Sequence, residues 1–201
     1  MNPIENIHEN YVFSRRVRIL SDRLQEVIPN DGSVLDVGCG DGALLKAVCE
    51  KRPDLKGEGI DVLVREKTLL PVVKFNGERI SYEDDSVDVV LFVDVLHHTK
   101  KPTILLKEGK RVARTAVVLK DHLLEGFLAG PTLRFMDRVG NARHGVALPY
   151  QYWTEQLWQN TFTSLGMNVA EWRTKLNLYP WPASWLFDRS LHFIARLEWK
   201  Q

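Results

Sequence analysis

Cysteine is scarce in this chain: two residues, Cys39 and Cys49, among 201. Two thiols cannot supply the framework of bridges on which small secreted domains rely. The opening stretch MNPIENIHENYVFSRR lacks the apolar core of a secretion signal, so the expected setting is cytosolic, with both thiols reduced. Long hydrophobic runs are missing as well. The most apolar stretch, Val87–Leu96, is interrupted by Asp88 and Asp94 and falls short of the roughly 18 residues that suggest a membrane span. No membrane anchor is expected. Neither sign of charge is in excess, since 27 Lys and Arg stand against 26 Asp and Glu for a formal charge of +1. Domains that bind nucleic acid by neutralising phosphates usually carry a basic surplus, which disfavours nucleic acid as a partner. The six histidines and two cysteines show no Cys-x-x-Cys or His-x-x-x-His spacing, so no metal centre is expected either.

What the chain does have is enough length to bury a core without such staples. Roughly 200 residues bury about 70% of the surface of the unfolded chain, and 44% of the residues are hydrophobic. Seven short segments, apolar or β-branched and bounded by Gly, Pro, Asp or Asn, read as strands: Ser33–Val37, Gly57–Ile60, Val72–Phe75, Val87–Val93, Thr115–Leu119, Asn168–Arg173 and Leu191–Glu198. Helical periodicity lies between most of them. Val17, Leu20, Leu24, Val27 and Ile28 share a face of an N-terminal helix that stops by Pro29, and Leu44, Leu45, Val48 and Cys49 share another. Pro102 opens a helix through Val112, and Thr154 caps one through Leu165 that stops at Gly166. Alternating strands and helices with nearly unbroken apolar strands predict an α/β fold, a doubly wound, mostly parallel seven-stranded sheet in one domain. Its parts are an N-terminal helical segment (1–30), a core (33–119), a lid (120–152) and a C-terminal helix with the last strands (153–201). Ligands of such sheets bind beyond the carboxyl ends of the strands, where the strand order reverses.

The strongest local signal is Val34-Leu35-Asp36-Val37-Gly38-Cys39-Gly40-Asp41-Gly42, set between a strand and a helix. Glycines there permit a tight turn and let a ligand approach the backbone at a helix N-terminus. Charge then selects the ligand. A dinucleotide would press its pyrophosphate against Asp36 and Asp41, which repel it, whereas S-adenosylmethionine brings an ammonium and a sulfonium that acids suit. A further acid, Asp61, closes the second strand about 20 residues on, where a carboxylate can accept both hydroxyls of a ribose.

Over Val34–Leu119 the chain resembles the class I S-adenosylmethionine-dependent methyltransferases, especially their type 11 branch. VLDVGCGDG resembles the first motif of that family and Gly59-Ile60-Asp61 its second. The stretch Asn76–Val90 and the run Asp94-Val95-Leu96-His97-His98 resemble the next two. The resemblance implies a Rossmann-like sheet whose last strand is antiparallel, and methyl transfer to a small-molecule substrate. It places Asp36, Gly38, Cys39 and Gly40 at the methionine portion of the cofactor, and Asp61 with Val62 at the ribose. Asn76 and Gly77 would meet the adenine edge, with Asp94, Val95 and Leu96 lining the site beneath the sulfonium. A silent subunit of the same fold and a nicotinamide-dependent oxidoreductase are the alternatives. The run Asp94-Val95-Leu96-His97 replaces the Asn/Asp-Pro-Pro-aromatic run of the branch that methylates nucleobase amines, which again favours a small molecule.

Methyl transfer from a sulfonium starts from an activated leaving group, so alignment and water exclusion supply most of the rate, and a base is needed only where the acceptor must lose a proton. His97 and His98 follow the fourth strand and Lys120-Asp121-His122 the fifth. Each is read either as packing or turn, or as a contact to substrate. In 123–152 the sequence leaves the family core. Gly140 and Gly145 permit a lid to move, Arg143 and Arg138 suit an anionic substrate group, and His144 or Tyr150 can accept a proton. The candidate catalytic residues are thus His97, His122 and His144, and the candidate substrate contacts Lys120, Asp121, Arg143 and Tyr150. All six tryptophans lie between Trp153 and Trp199, as core and surface packing or as the wall of a pocket. Oligomeric state has no signature in the sequence.

Overall fold

A computed structural model of the protein describes residues 3–29, 31–141 and 149–200, with side chains from residue 13 onward and none described for 140 and 141. Its elements run α1 (Pro3–Val27), β1 (Gly32–Val37), α2 (Ala43–Lys51), β2 (Leu55–Asp61), β3 (Val72–Lys74), β4 (Val87–Val93), a 3-10 turn at Leu96–His98, α3 (Pro102–Val112), β5 (Ala113–His122), α4 (Ala129–Asn141), α5 (Glu155–Ser164), β6 (Asn168–Arg173), α6 (Ala183–Phe187) and β7 (His192–Glu198). The seven strands form one sheet in the order β3-β2-β1-β4-β5-β7-β6. Pairs among the first five strands are parallel, and β7 runs antiparallel to both β5 and β6. The expected architecture is therefore the observed one.

The period of two along each central strand divides its side chains between two cores. On one face Leu35, Val37, Val90, Phe92, Val117, Leu119, Phe193 and Ala195 meet Leu105 and Leu106 of α3 with Trp158 and Phe162 of α5. On the other, Val34, Val89, Leu91, Val118 and Ile194 meet Leu20 and Leu24 of α1 and Leu45 and Val48 of α2. Helices thus cover both faces, which is why the middle strands are apolar throughout. A third small core of Ala129, Leu133, Tyr152 and Leu191 seats α4 at the carboxyl end of the sheet.

Strand β5 runs three residues beyond the expected Thr115–Leu119, through Lys120, Asp121 and His122. Those polar residues read in the sequence as a turn or a contact to substrate; each finds a partner in the interior, and the ladder continues to His122 opposite His192 of β7. The capping expectation at Thr154 holds, since its hydroxyl accepts from the Leu157 amide at 3.2 Å. Order reverses between β1 and β4, which places the ligand crevice of such a sheet over their carboxyl ends.

Candidate functional site

At the end of β1 the chain turns through Gly38, Gly40 and Gly42 at φ of +80°, +61° and +81°. Only glycine adopts these values without strain. The Gly38 amide donates to the Ile60 carbonyl at 2.7 Å, which ties the loop to β2. A Cβ at Gly38 would stand 2.5 Å from Val95 Cγ2, so Val95 rests directly on bare backbone. Asp41 turns inward to its own helix, where Oδ1 accepts the Ala43 amide at 3.0 Å. Asp61 binds the loop from below, with Oδ2 accepting from the Gly40 amide at 2.7 Å and Oδ1 from Leu63 at 2.8 Å.

Asp36 lies beside Gly59 in the register of β1 on β2 and is 2% exposed. Burial, and after it the charge of Asp61, pushes its carboxyl up to about 7. Two carboxylates facing one loop leave a deficit of positive charge, which a cationic ligand fills and an anionic one worsens. Cys39 Sγ fills the space where a Gly59 Cβ would be, at 2.3 Å; burial, then Asp36, pushes its thiol up and keeps it protonated. Further along the crevice, Asn76 Oδ1 accepts from the Glu78 and Arg79 amides at 2.9 and 2.8 Å, while Gly77, at φ +81°, lies against Val62.

A second constellation sits at the carboxyl ends of β4 and β5. Asp94 adopts φ +54°, which Asp tolerates better than most residues, and its carboxylate meets Arg16 of α1 and Lys120 Nζ, the latter at 2.5 Å. Asp121 accepts from His97 Nδ1 at 2.6 Å and from the Leu96 and His122 amides at 3.1 and 2.7 Å. His192 donates Nε2–H to the Phe187 carbonyl at 3.1 Å, so its Nδ1 is the acceptor for His122 Nδ1 at 3.1 Å and Lys120 Nζ at 3.3 Å. From α4, Asp137 accepts the Tyr152 hydroxyl. Its Oδ1 stands 3.5 Å from His97 Nε2 and 3.6 Å from His122 Nε2.

Such a cluster in low dielectric depends on complementary charge. Burial alone would raise Asp94, but Lys120 and Arg16 hold it well below the usual carboxylate range. Burial likewise disfavours the His97 imidazolium, and Asp121 with Asp137 overturns this and holds the ring up to about 10. His98, half-buried beside it, is pushed down to about 4 by burial and then by the charge of His97.

Of the sequence candidates, Asp36, Gly38, Cys39, Gly40, Asp61, Val62, Asn76 and Gly77 come together around the glycine loop and the ends of β2 and β3, and Val95 joins them. Leu96 is buried behind. Asp94 belongs instead to the ion cluster. His97 and His122 converge, with ring centroids 4.5 Å apart. Lys120 and Asp121, 1% and 0% exposed, are buried in the cluster, where they pair with Asp94 and His97. Tyr150 is half-buried with Arg134 over its ring at 5.9 Å. Arg143 and His144 lie outside the described residues. Sequence reading missed Arg16, Asp137, Tyr152 and His192 as members of the cluster. His192 had a usable signal, an imidazole leading the apolar strand FIA; Arg16 sits in the basic run RRVR of an ordinary amphipathic helix and had none. Trp158 and its neighbours Trp153, Trp172 and Trp199 pack with the core, whereas Trp181 and Trp185 are exposed, so the tryptophans form no single pocket wall.

Residues 8–171 match the family of methyltransferase domains. A curated relative, the bifunctional methionine biosynthesis protein MetXA/MetW of Rhodopirellula baltica, is 30% identical over 124 residues, covering 50% of this chain and 20% of that protein. The matched part is thus about a fifth of the relative's length. Among solved structures, a chain of the complex between the Haloferax volcanii Trm112 methyltransferase activator and a putative methyltransferase superposes with a TM-score of 0.69 at 16% identity, covering 92% of this chain and 91% of that one. An S-adenosylmethionine-dependent methyltransferase from Aquifex aeolicus gives 0.60 at 19% identity, covering 89% and 88%. At these identities the structures establish the shared fold.

Proposed function

Because this chain belongs to the family of methyltransferase domains, we propose that it binds S-adenosylmethionine and moves the methyl group onto a small molecule by direct displacement. The Asp36 carboxylate would face the methionine ammonium, Asp61 the ribose hydroxyls through the lone pairs its two amide contacts leave over, and Val95 the sulfonium. The acceptor would lie toward the ends of β4 and β5, beneath α4. Its lone pair attacks the methyl carbon as the C–S bond breaks, the bonding pair stays on sulfur, and S-adenosylhomocysteine leaves.

The observation that carries the small-molecule reading is the cover on that end of the sheet. Helix α4 seats Leu133 in its own core and brings Asp137 to 3.5 Å from His97, a cover that favours a small acceptor over a nucleic acid or protein chain. Water exclusion under such a cover is what a displacement with a pre-activated leaving group gains most from. The test uses S-adenosylmethionine carrying a labelled methyl, incubated with the protein and separately with the small-molecule, protein and nucleic-acid fractions of a cell extract. Label in the small-molecule fraction is expected; label confined to either macromolecular fraction would overturn the reading.

A further inference from the structure

We infer that His97, His98 and Asp137 form a binding site for one divalent transition ion of the zinc class. One donor atom from each of His97, His98 and Asp137 lies within 4.8 Å of the other two. His97 Nε2 and His98 Nδ1 are both buried and without a hydrogen-bond partner, and the His97 side chain is only 1% exposed. Buried polar nitrogens are rarely left this way. Asp137 Oδ1 stands 3.5 Å from His97 Nε2. A tetrahedral ion with arms of about 2.1 Å holds its ligands about 3.4 Å apart.

An outer contact orients His97 as metal sites require. His97 gives Nδ1–H to Asp121 and so directs Nε2 toward Asp137, where an ion would replace the proton that His97 otherwise carries. Two imidazoles with one carboxylate, leaving a fourth position for water, suit zinc, cobalt, iron or nickel and not magnesium or calcium, which prefer oxygen. The sequence hid the site because its ligands come from a turn after β4 and from α4, and local spacing cannot reveal that. An ion here would bind and acidify an acceptor hydroxyl or water; that role rests on the methyl-transfer reading, whereas the site does not.

The test is equilibrium dialysis of the metal-stripped full chain against zinc, and visible absorption with cobalt(II). One zinc per folded chain and the intense bands of tetrahedral cobalt are expected. His97→Ala and His98→Ala should each weaken binding at least about 100-fold, and Asp121→Asn about 10- to 100-fold by misorienting His97. Each variant is checked for fold by circular dichroism, and Cys39→Ser with Cys49→Ser should bind as the parent does. Absence of stoichiometric binding by the folded parent chain, or binding unchanged in both histidine variants, overturns the proposal. Calorimetry with S-adenosylhomocysteine on the same samples reports separately on the methyltransferase reading.

Discussion

Replacing Asp36 by Asn should stabilise the protein at alkaline pH and damage cofactor binding at the same time. The unfolded carboxyl ionises near 3.8 and the folded one near 7. The folded state therefore holds its proton more tightly, and stability falls as pH rises between these two values. At about 1.36 kcal/mol per pH unit, the full loss is about 4 kcal/mol above pH 7, of which about 2 accrues between pH 5 and pH 7. The group is fully buried, so solvent screening removes little of this, and relaxation around the charge makes it an upper bound. Asn removes the titration. For a chain of this length each kcal/mol moves the melting temperature by roughly 2–4 °C, so Asp36→Asn should melt above the parent by several degrees at pH 8 and by much less at pH 5. Binding of the cationic cofactor selects the ionised form, about a tenth of the molecules at pH 6 and nine-tenths at pH 8. The parent's affinity for S-adenosylhomocysteine should tighten about tenfold across that range, and the Asn variant should bind weakly with no such slope. Thermal melts at the two pH values and calorimetry from pH 6 to 8 decide it. An Asn variant no more stable than the parent at pH 8, or one that keeps the tenfold slope, refutes the reasoning.

Other substitutions test the same frame. Asp61→Ala should weaken S-adenosylhomocysteine binding by about 1–3 kcal/mol, the scale for a lost charged acceptor; unchanged affinity by calorimetry contradicts the ribose assignment. Gly38→Ala forces a Cβ to 2.5 Å from Val95 Cγ2 at a φ of +80° and should cost about 1–3 kcal/mol in urea denaturation. Adding Val95→Ala should recover the steric part and leave the backbone part, and no recovery would place the strain elsewhere. Trp158, 1% exposed with its Nε1 donating to the His122 carbonyl at 3.1 Å, should cost about 3–5 kcal/mol on truncation to Ala, read as a shift in urea midpoint.

The cofactor end of the molecule was legible because its parts are local in sequence. Glycines at fixed offsets, an acid closing β2 and period-two apolar strands each determine their own backbone, and the sheet follows. Val87–Val93 and Asn168–Arg173 fell on the observed strands to the residue. The acceptor end was much less legible. Its cluster draws one residue from α1, three from β5, one from α4 and one from β7, so sequence distance carries no information about contact. Lys120-Asp121-His122 read either as a solvated turn, because polar residues usually end strands, or as a contact to substrate. Here Asp94, His97 and His192 satisfy them in the interior, and only the fold brings those partners near.

The central claim is that the loop from Asp36 to Gly42, closed by Asp61, holds the adenosyl cofactor. Titrating the full chain with S-adenosylhomocysteine in a calorimeter tests it most directly. The account predicts saturable binding at one site per chain, weakened in Asp61→Ala and in Asp36→Asn; a folded chain that gives no binding heat at any accessible concentration would contradict it.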